Sequence, residues 1–387
     1  MFRFPSRMVA LLALGSLVTA CAGDSSPAAS GPVFGWRSAG LVLPDADQTG
    51  GLRRLVNIGN TLFAMDAYES GTGSASRPRQ WRIWKGSVGS DRWEILPMPN
   101  GEVACEFAVV GQNLVVGTQY TGRVYRYDLG AKKWTEFVRP VMPNGDDSLP
   151  SVWGVGEASG HALVAVFFSK GVNHRCLLQA GGEDTLGRIS CMGVNKNGPF
   201  NSVGIAGQYL YGYQSEWGVA RYRLGDSIWE SLPSPRGKTD PSEFEFMSAL
   251  ASIDGKVYVG YRQWGDGVFR WDDGVWTSMT PQDSLKRRET SKTVHVIAGY
   301  RGRLFQGGQD GSGIAMLTPR DSGKVVWGDW KLVDSGWCSI AGVGGCPWQT
   351  RAIVGIGDTL YAATWNAIVK VPFADLDKMA RPLYSSK

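Results

Sequence analysis

Five short stretches of the chain set aromatic rings beside amide or charged groups: Gln119-Tyr120, Gln214-Ser-Glu-Trp217, Arg262-Gln-Trp264, Gln309-Asp310 and Trp365-Asn366. Flat apolar rings next to planar hydrogen-bonding groups suit carbohydrate, because sugar C–H faces stack while hydroxyls need directed partners. The same side chains form the anchors of protein interfaces. Indoles packed between neighbouring sheets are the plain structural alternative. The candidate ligand-binding residues are therefore Gln119, Tyr120, Gln214, Trp217, Arg262, Trp264, Gln309 and Trp365. A second set is charged. Arg53, Arg54 and Arg351 fall near the starts of predicted strands, and Glu106, Glu243 and Glu245 take comparable places elsewhere. Hydrolysis of a glycoside needs paired carboxylates, and clamping an acidic substrate needs arginine forks. Arg53, Glu106, Glu245, His295 and Arg351 are placed at the mouth of a central channel. Spacing alone does not pair them, so no catalytic residue is assigned.

The three histidines, His161, His174 and His295, are scattered, and no Cys/His spacing fits a zinc site. Phosphate-loop, serine-hydrolase and EF-hand patterns are not evident. No metal and no cofactor are expected. Of the six cysteines, Cys176 and Cys191 flank a hairpin turn at Gly181-Gly-Glu-Asp184, which sets them opposite one another as a disulfide pair. Cys338 and Cys346 bracket a glycine-rich loop flexible enough to close as a second. Cys105 lies in an apolar strand and reads as a buried free thiol.

The elements that carry these residues repeat. A turn followed by an apolar residue recurs at Gly59-Asn-Thr-Leu62, Gly111-Gln-Asn-Leu114, Gly160-His-Ala-Leu163, Gly207-Gln-Tyr-Leu210, Asp254-Gly-Lys-Val257, Arg301-Gly-Arg-Leu304 and Gly357-Asp-Thr-Leu360. The closing residues lie 52, 49, 47, 47, 47 and 56 positions apart. Such turns between apolar runs are hairpin signals. Each unit continues through an aromatic or aliphatic strand to a Trp-bearing strand, as in Val124-Tyr-Arg-Tyr-Asp-Leu-Gly-Ala-Lys-Lys-Trp134. Four short strands per 45–50 residues describe one blade of a β-propeller. The last unit lacks its Trp strand, whereas Phe34-Gly-Trp36 precedes the first unit. The predicted fold is all-β: a seven-bladed β-propeller of four-stranded blades, the last blade closed by the N-terminal strand. Composition agrees: 387 residues with 52 Gly, 16 Trp and only 19% charged side chains argue against both a helical and a disordered chain. A net charge of +5, dispersed along the chain, gives no sign of nucleic acid.

The blade pattern resembles the kelch-like propellers, whose units combine a Gly after the second strand, a Tyr in the third and a Trp in the fourth. Those marks here are Gly117, Tyr125 and Trp134, then Gly212, Tyr222 and Trp229, with a Gly307-Gly308 pair in the sixth unit. Sialidase-like propellers carry an arginine trio, but their Ser-x-Asp-x-Gly-x-Thr-Trp box is absent.

Residues 1–20 read as an export signal: Arg3 and Arg7 precede the apolar run from Met8 to Ala20, which is too short to span a bilayer. Val18-Thr19-Ala20-Cys21 resembles the lipobox of bacterial lipoproteins, which implies cleavage before Cys21 and its lipidation. Ala22 after that cysteine favours the outer membrane by the family's sorting pattern. Residues 21–32 form a small, polar tether, and residues 33–387 the propeller. The expected function is a lipid-anchored, monomeric envelope protein, facing the periplasm or the cell exterior. It would bind an envelope protein or glycan, without catalysis, through the loop face over the channel. Two alternatives stand beside this: a glycan-processing enzyme, and a periplasmic immunity protein that plugs a toxin's active site.

Overall fold

The computed structural model describes residues 35–43, 51–69, 79–118, 121–138, 151–158, 161–168, 174–180, 186–192, 202–206, 208–214, 218–223, 229–235, 247–261, 267–272, 274–279, 294–308, 314–317, 331–333 and 349–382. Gly35–Lys387 forms one compact unit. Its described strands make seven antiparallel sheets, five of them meanders of four sequential strands and two extended by a strand from one end of the chain. Their innermost strands are Leu52–Ile58, Ala104–Val110, Ser151–Ala158, Ser202–Ala206, Met247–Ile253, Val294–Tyr300 and Thr350–Ile356. Each packs against the next, and the last packs against the first, so the sheets close into the ring of a β-propeller.

The expectation of uniform four-stranded blades needs correction. Six of the sheets have four strands, but the sheet that starts at Val294 has five. The C-terminal strand Arg381–Pro382 adds to the outer edge of Lys331–Leu332. The helix Leu376–Met379 brings it there by burying Leu376 and Met379 beside Trp36, Phe305 and Val333. The N-terminal strand Arg37–Val42 pairs with Ala367–Pro372 as the outer strand of the last sheet. Both chain ends thus meet around the same pair of sheets, and two edges that would template aggregation are covered.

Second strands such as Asn113–Thr118, Arg303–Gly308 and Thr359–Thr364 are buried on both faces, which is why they read as nearly unbroken runs of apolar and small residues. Glycine sets the spacing between sheets. A Cβ on Gly117 would fall 2.2 Å from Val152 of the next sheet, on Gly260 2.6 Å from Val294, and on Gly307 2.5 Å from Thr350. A residue at the start of each of those innermost strands, the first or second, rests in the space of a missing side chain. Outermost strands are held by indoles. Trp134 Nε1 donates to Pro97 O at 2.9 Å and Trp276 Nε1 to Pro233 O at 2.8 Å, each reaching back to the preceding sheet. Trp93 Nε1 donates to Ala39 O, and Trp36 Nε1 to Val333 O. Trp36 therefore serves the last sheet as the Trp-bearing strands serve the others.

The cysteine expectations meet the structure in part. No disulfide is seen among the described residues. The backbone register sets Cys176 opposite Cys191, while Cys338 and Cys346 lie outside the described residues. Cys105 is a buried free thiol. No helix among the described residues is long and apolar enough to cross a membrane. Cys21 and the rest of residues 1–34 lie outside the described set.

Candidate functional site

Antiparallel pairing brings the start of each innermost strand level with the end of its second strand: Leu52 faces Asp66, Ala104 faces Thr118, and Thr350 faces Thr364. This end of the ring also carries the connections between second and third strands, and we call it the rim. Six innermost strands begin with a register shift that inserts one unpaired residue, between Leu52 and Arg54, Ala104 and Glu106, Val152 and Gly154, Met247 and Ala249, Val294 and Val296, and Thr350 and Ala352. The inserted residues are Arg53, Cys105, Trp153, Ser248, His295 and Arg351. The strand Ser202–Ala206 pairs without a shift. A bulge interrupts the ladder and re-aims a side chain, and bulges concentrate beside binding and active sites.

Of the five residues predicted at the channel mouth, Arg53, Glu106, His295 and Arg351 all stand at this rim, and Glu245 lies outside the described residues. Arg54 Nε and a terminal nitrogen reach the two oxygens of Glu106 at 2.6 and 2.7 Å, joining the first two sheets. Glu106 Oε1 also accepts from the Phe107 N–H at 3.1 Å. The carboxylate raises the pKa of the Arg54 guanidinium. Burial, with the Glu106 charge second and partly offset by Arg53, pushes the neighbouring Cys105 thiol up to about 12. A thiol so protonated is no nucleophile at neutral pH. Glu106, with both oxygens engaged, is poorly placed to act as a general acid or base.

Arg53 and Arg351 share an arrangement in adjacent sheets. The Arg53 guanidinium lies 4.7 Å from the ring centre of Trp81, and that of Arg351 5.4 Å from the ring centre of Trp365. Trp365 sits on the connection between strands Thr359–Thr364 and Ala367–Pro372. Its carbonyl accepts from Leu52 N at 2.8 Å, and Asn366 O accepts from Leu43 N at 2.7 Å. Thr364 Oγ1 closes the connection by donating to Ala367 O at 2.9 Å. A Cβ on Gly51 would come 2.7 Å from Trp365 Cδ2, and φ of +70° there suits glycine. The Trp365 indole is thus packed by Gly51 and Arg351, which opposes the reading of this residue as an open stacking platform for sugar.

Among the other predicted ligand-binding residues, Gln119, Tyr120, Trp217, Arg262, Trp264 and Gln309 lie outside the described residues. Gln214 ends its second strand at the rim, opposite Gly218. Flanking the Gln119–Tyr120 position, Thr118 donates to Arg123 O at 2.9 Å and Thr121 to Glu102 at 2.7 Å. Reading the sequence by residue type missed the bulges. A signal for them was present: Leu52 to Leu55, Ala104 to Phe107, Val294 to Ile297 and Thr350 to Ile353 put buried residues three apart, an odd interval that a regular strand does not produce. No cluster of metal-ligating side chains occurs among the described residues.

No protein-family model matches the chain, and no curated protein matches it. Solved structures do. The structure of YCF48 bound to D1 peptide is 13% identical, with a TM-score of 0.55 over 87% of this chain and 96% of that one. The WD40 repeats of RRP9 are 12% identical, with a TM-score of 0.54 over 87% and 98%. A putative glucose dehydrogenase from a Thermus species is 14% identical, with a TM-score of 0.44 over 70% and 96%. At these identities the first two support the β-propeller fold and nothing finer.

Proposed function

We propose that this chain is a non-enzymatic binding or scaffold protein that holds a protein partner at the rim of its ring, anchored to the envelope through a lipid on Cys21. The observation that carries the reading is the repeated bulge, which delivers Arg53, His295 and Arg351 to one end of the ring on three consecutive sheets. Arginine backed by tryptophan is the composition of protein-binding anchors. A glycan surface is less well supported, because the Trp365 ring that would stack a sugar is already packed. The enzyme alternative is weakened by the engagement of Glu106. That a neighbour of like fold is described as bound to a peptide agrees with a polypeptide at such a site.

A photo-crosslinking amino acid in place of Asn366, in the full chain in its native host, tests the reading. The expected result is a discrete protein adduct, absent when the same group replaces Val275, an exposed residue of an outer strand. Adducts from neither position, or from both alike, would count against a rim-bound partner. Anchoring is tested separately: Cys21→Ser is expected to move the protein from the membrane to the soluble fraction, and retention on the membrane would refute the lipid anchor.

A further inference from the structure

We infer that residues 373–382 form a clasp that can open while the ring stays closed: it holds the outer strand of the sixth sheet in place, and its release uncovers that strand's edge. The inference rests on no feature of the rim. The strand that is held, Lys331–Leu332, is the shortest outer strand among the described residues. On one side it pairs with the third strand of its sheet, Leu332 opposite Ala315 and Lys331 opposite Met316. On the other side it pairs with the clasp, Lys331 opposite Pro382 and Leu332 opposite Arg381. A ladder of two residues is a weak element by itself, so this strand depends on what packs over it.

The clasp is fastened along its length. Phe373 N donates to Asp358 O at 2.7 Å, and the Phe373 ring meets Tyr300 and Phe305 edge to face. Arg303 donates to both oxygens of Asp377, at 2.9 and 2.7 Å, and lies 4.9 Å from the Phe373 ring centre. Leu376 and Met379 are buried in one cluster with Trp36, Ile314, Met316 and Val333. Val333 continues the held strand: its N–H donates to Ile314 O at 2.9 Å, and its carbonyl accepts from Trp36 Nε1.

Ring closure draws on other contacts. The N-terminal strand pairs Arg37 with Lys370, Ser38 with Val369 and Val42 with Ala367. Trp93 Nε1 donates to Ala39 O at 2.8 Å, and Lys370 Nζ meets Asp91 at 2.7 Å. Ala39, Leu41 and Leu43 are buried with Leu52, Leu55 and Leu62 of the first sheet, in a cluster that holds no described residue of the clasp. The clasp therefore commits two deeply buried side chains and two backbone pairs, while the seam of the ring commits an extended apolar cluster. Segments with few buried apolar contacts open locally, at a lower cost than global unfolding. Once open, the clasp leaves unpaired backbone groups along Lys331–Leu332, an edge of the kind that accepts an added strand.

The test is amide hydrogen exchange on the full chain and its variants, read by mass spectrometry. In the unmodified chain, residues 331–333 and 376–381 are expected to lose protection together, and before the second strands 303–308 and 359–364. Leu376→Ala with Met379→Ala should lower protection in both segments by at least about a hundredfold. Residues 37–42 and 359–364 should keep theirs. Asp377→Asn, at a largely exposed ion pair, should act in the same direction by only a few-fold. Full protection of 331–333 in the double variant would show that the clasp does not hold the strand. A parallel loss in 37–42 and 359–364, or a double variant that does not fold, would make the segment part of the cooperative fold and overturn the inference. Exchange of 376–381 in step with the second strands of the unmodified chain would do the same, and that reading needs no variant.

Discussion

At one end of the ring the innermost strands turn back through two-residue hairpins, and at the other six of the seven begin with a bulge. The hairpin end is set by backbone geometry: Gly59, Gly111 and Gly357 have φ of 55°, 59° and 57°, and the pairs Asp254–Gly255 and Arg301–Gly302 are positive at both residues. Neighbouring sheets interlock there through missing side chains. A Cβ on Gly355 would fall 2.0 Å from the Tyr300 ring, and the Tyr300 hydroxyl donates to Gly357 O. The rim end breaks the ladder instead, and the inserted residue there is arginine, cysteine, tryptophan, serine or histidine. Both ends lock neighbouring sheets together, the rim through Val152, Val294 and Thr350 set against Gly117, Gly260 and Gly307, but only at the rim do the inserted residues change chemistry from sheet to sheet.

Substitutions can break or sharpen this contrast. The largest effect is expected at the hairpin end, where Gly355→Ala overpacks Tyr300 and should cost about 3 kcal/mol in urea unfolding. A loss under about 1 kcal/mol would show that Tyr300 yields easily. At the rim, Arg54→Ala leaves the Glu106 carboxylate largely buried and should cost about 2 kcal/mol, measured the same way. Trp93→Phe removes one indole donor and should cost about 1 kcal/mol. Arg53→Gln with Arg351→Gln removes two guanidinium–indole contacts and should cost about 1 kcal/mol, measured the same way.

The smallest effect at neutral pH concerns Cys105. Its folded pKa of about 12 lies above the ordinary 9.0, so the fold favours the protonated thiol. That contribution is complete below pH 9 and is lost as pH rises toward 12. Cys105→Ala should flatten the alkaline limb of the stability profile, and iodoacetamide should label the native thiol slowly at pH 7. An unchanged limb and rapid labelling would mean that the thiol is accessible.

The hairpin end was legible in the sequence because its demands are local. Positive φ selects glycine, and apolar runs on either side fix the pairing, so each turn could be read from four residues. The closing role of Trp36 was legible for a similar reason, since it repeats the pattern around Trp93. The five-stranded sheet was not, because Arg381–Pro382 has no strand signature of its own and pairs only after Leu376 and Met379 are buried. At the rim, residue type pointed to Arg53, Glu106, His295 and Arg351, but their roles depended on partners distant in sequence. Arg54 meets Glu106 fifty-two positions away, and Trp365 meets Gly51 across the junction of the chain's two ends. Trp365, read as a ring for stacking sugar, is half-buried against Gly51 and Arg351.

The most direct test of a binding rim set against a structural hairpin end is amide hydrogen exchange on the full chain, with and without the protein captured through position 366. Added protection is expected in residues 52–54, 350–352 and 365–366, with none in the turns at 59–60, 301–302 and 357–358. Protection centred on the turns, or spread evenly over both ends, would contradict the account.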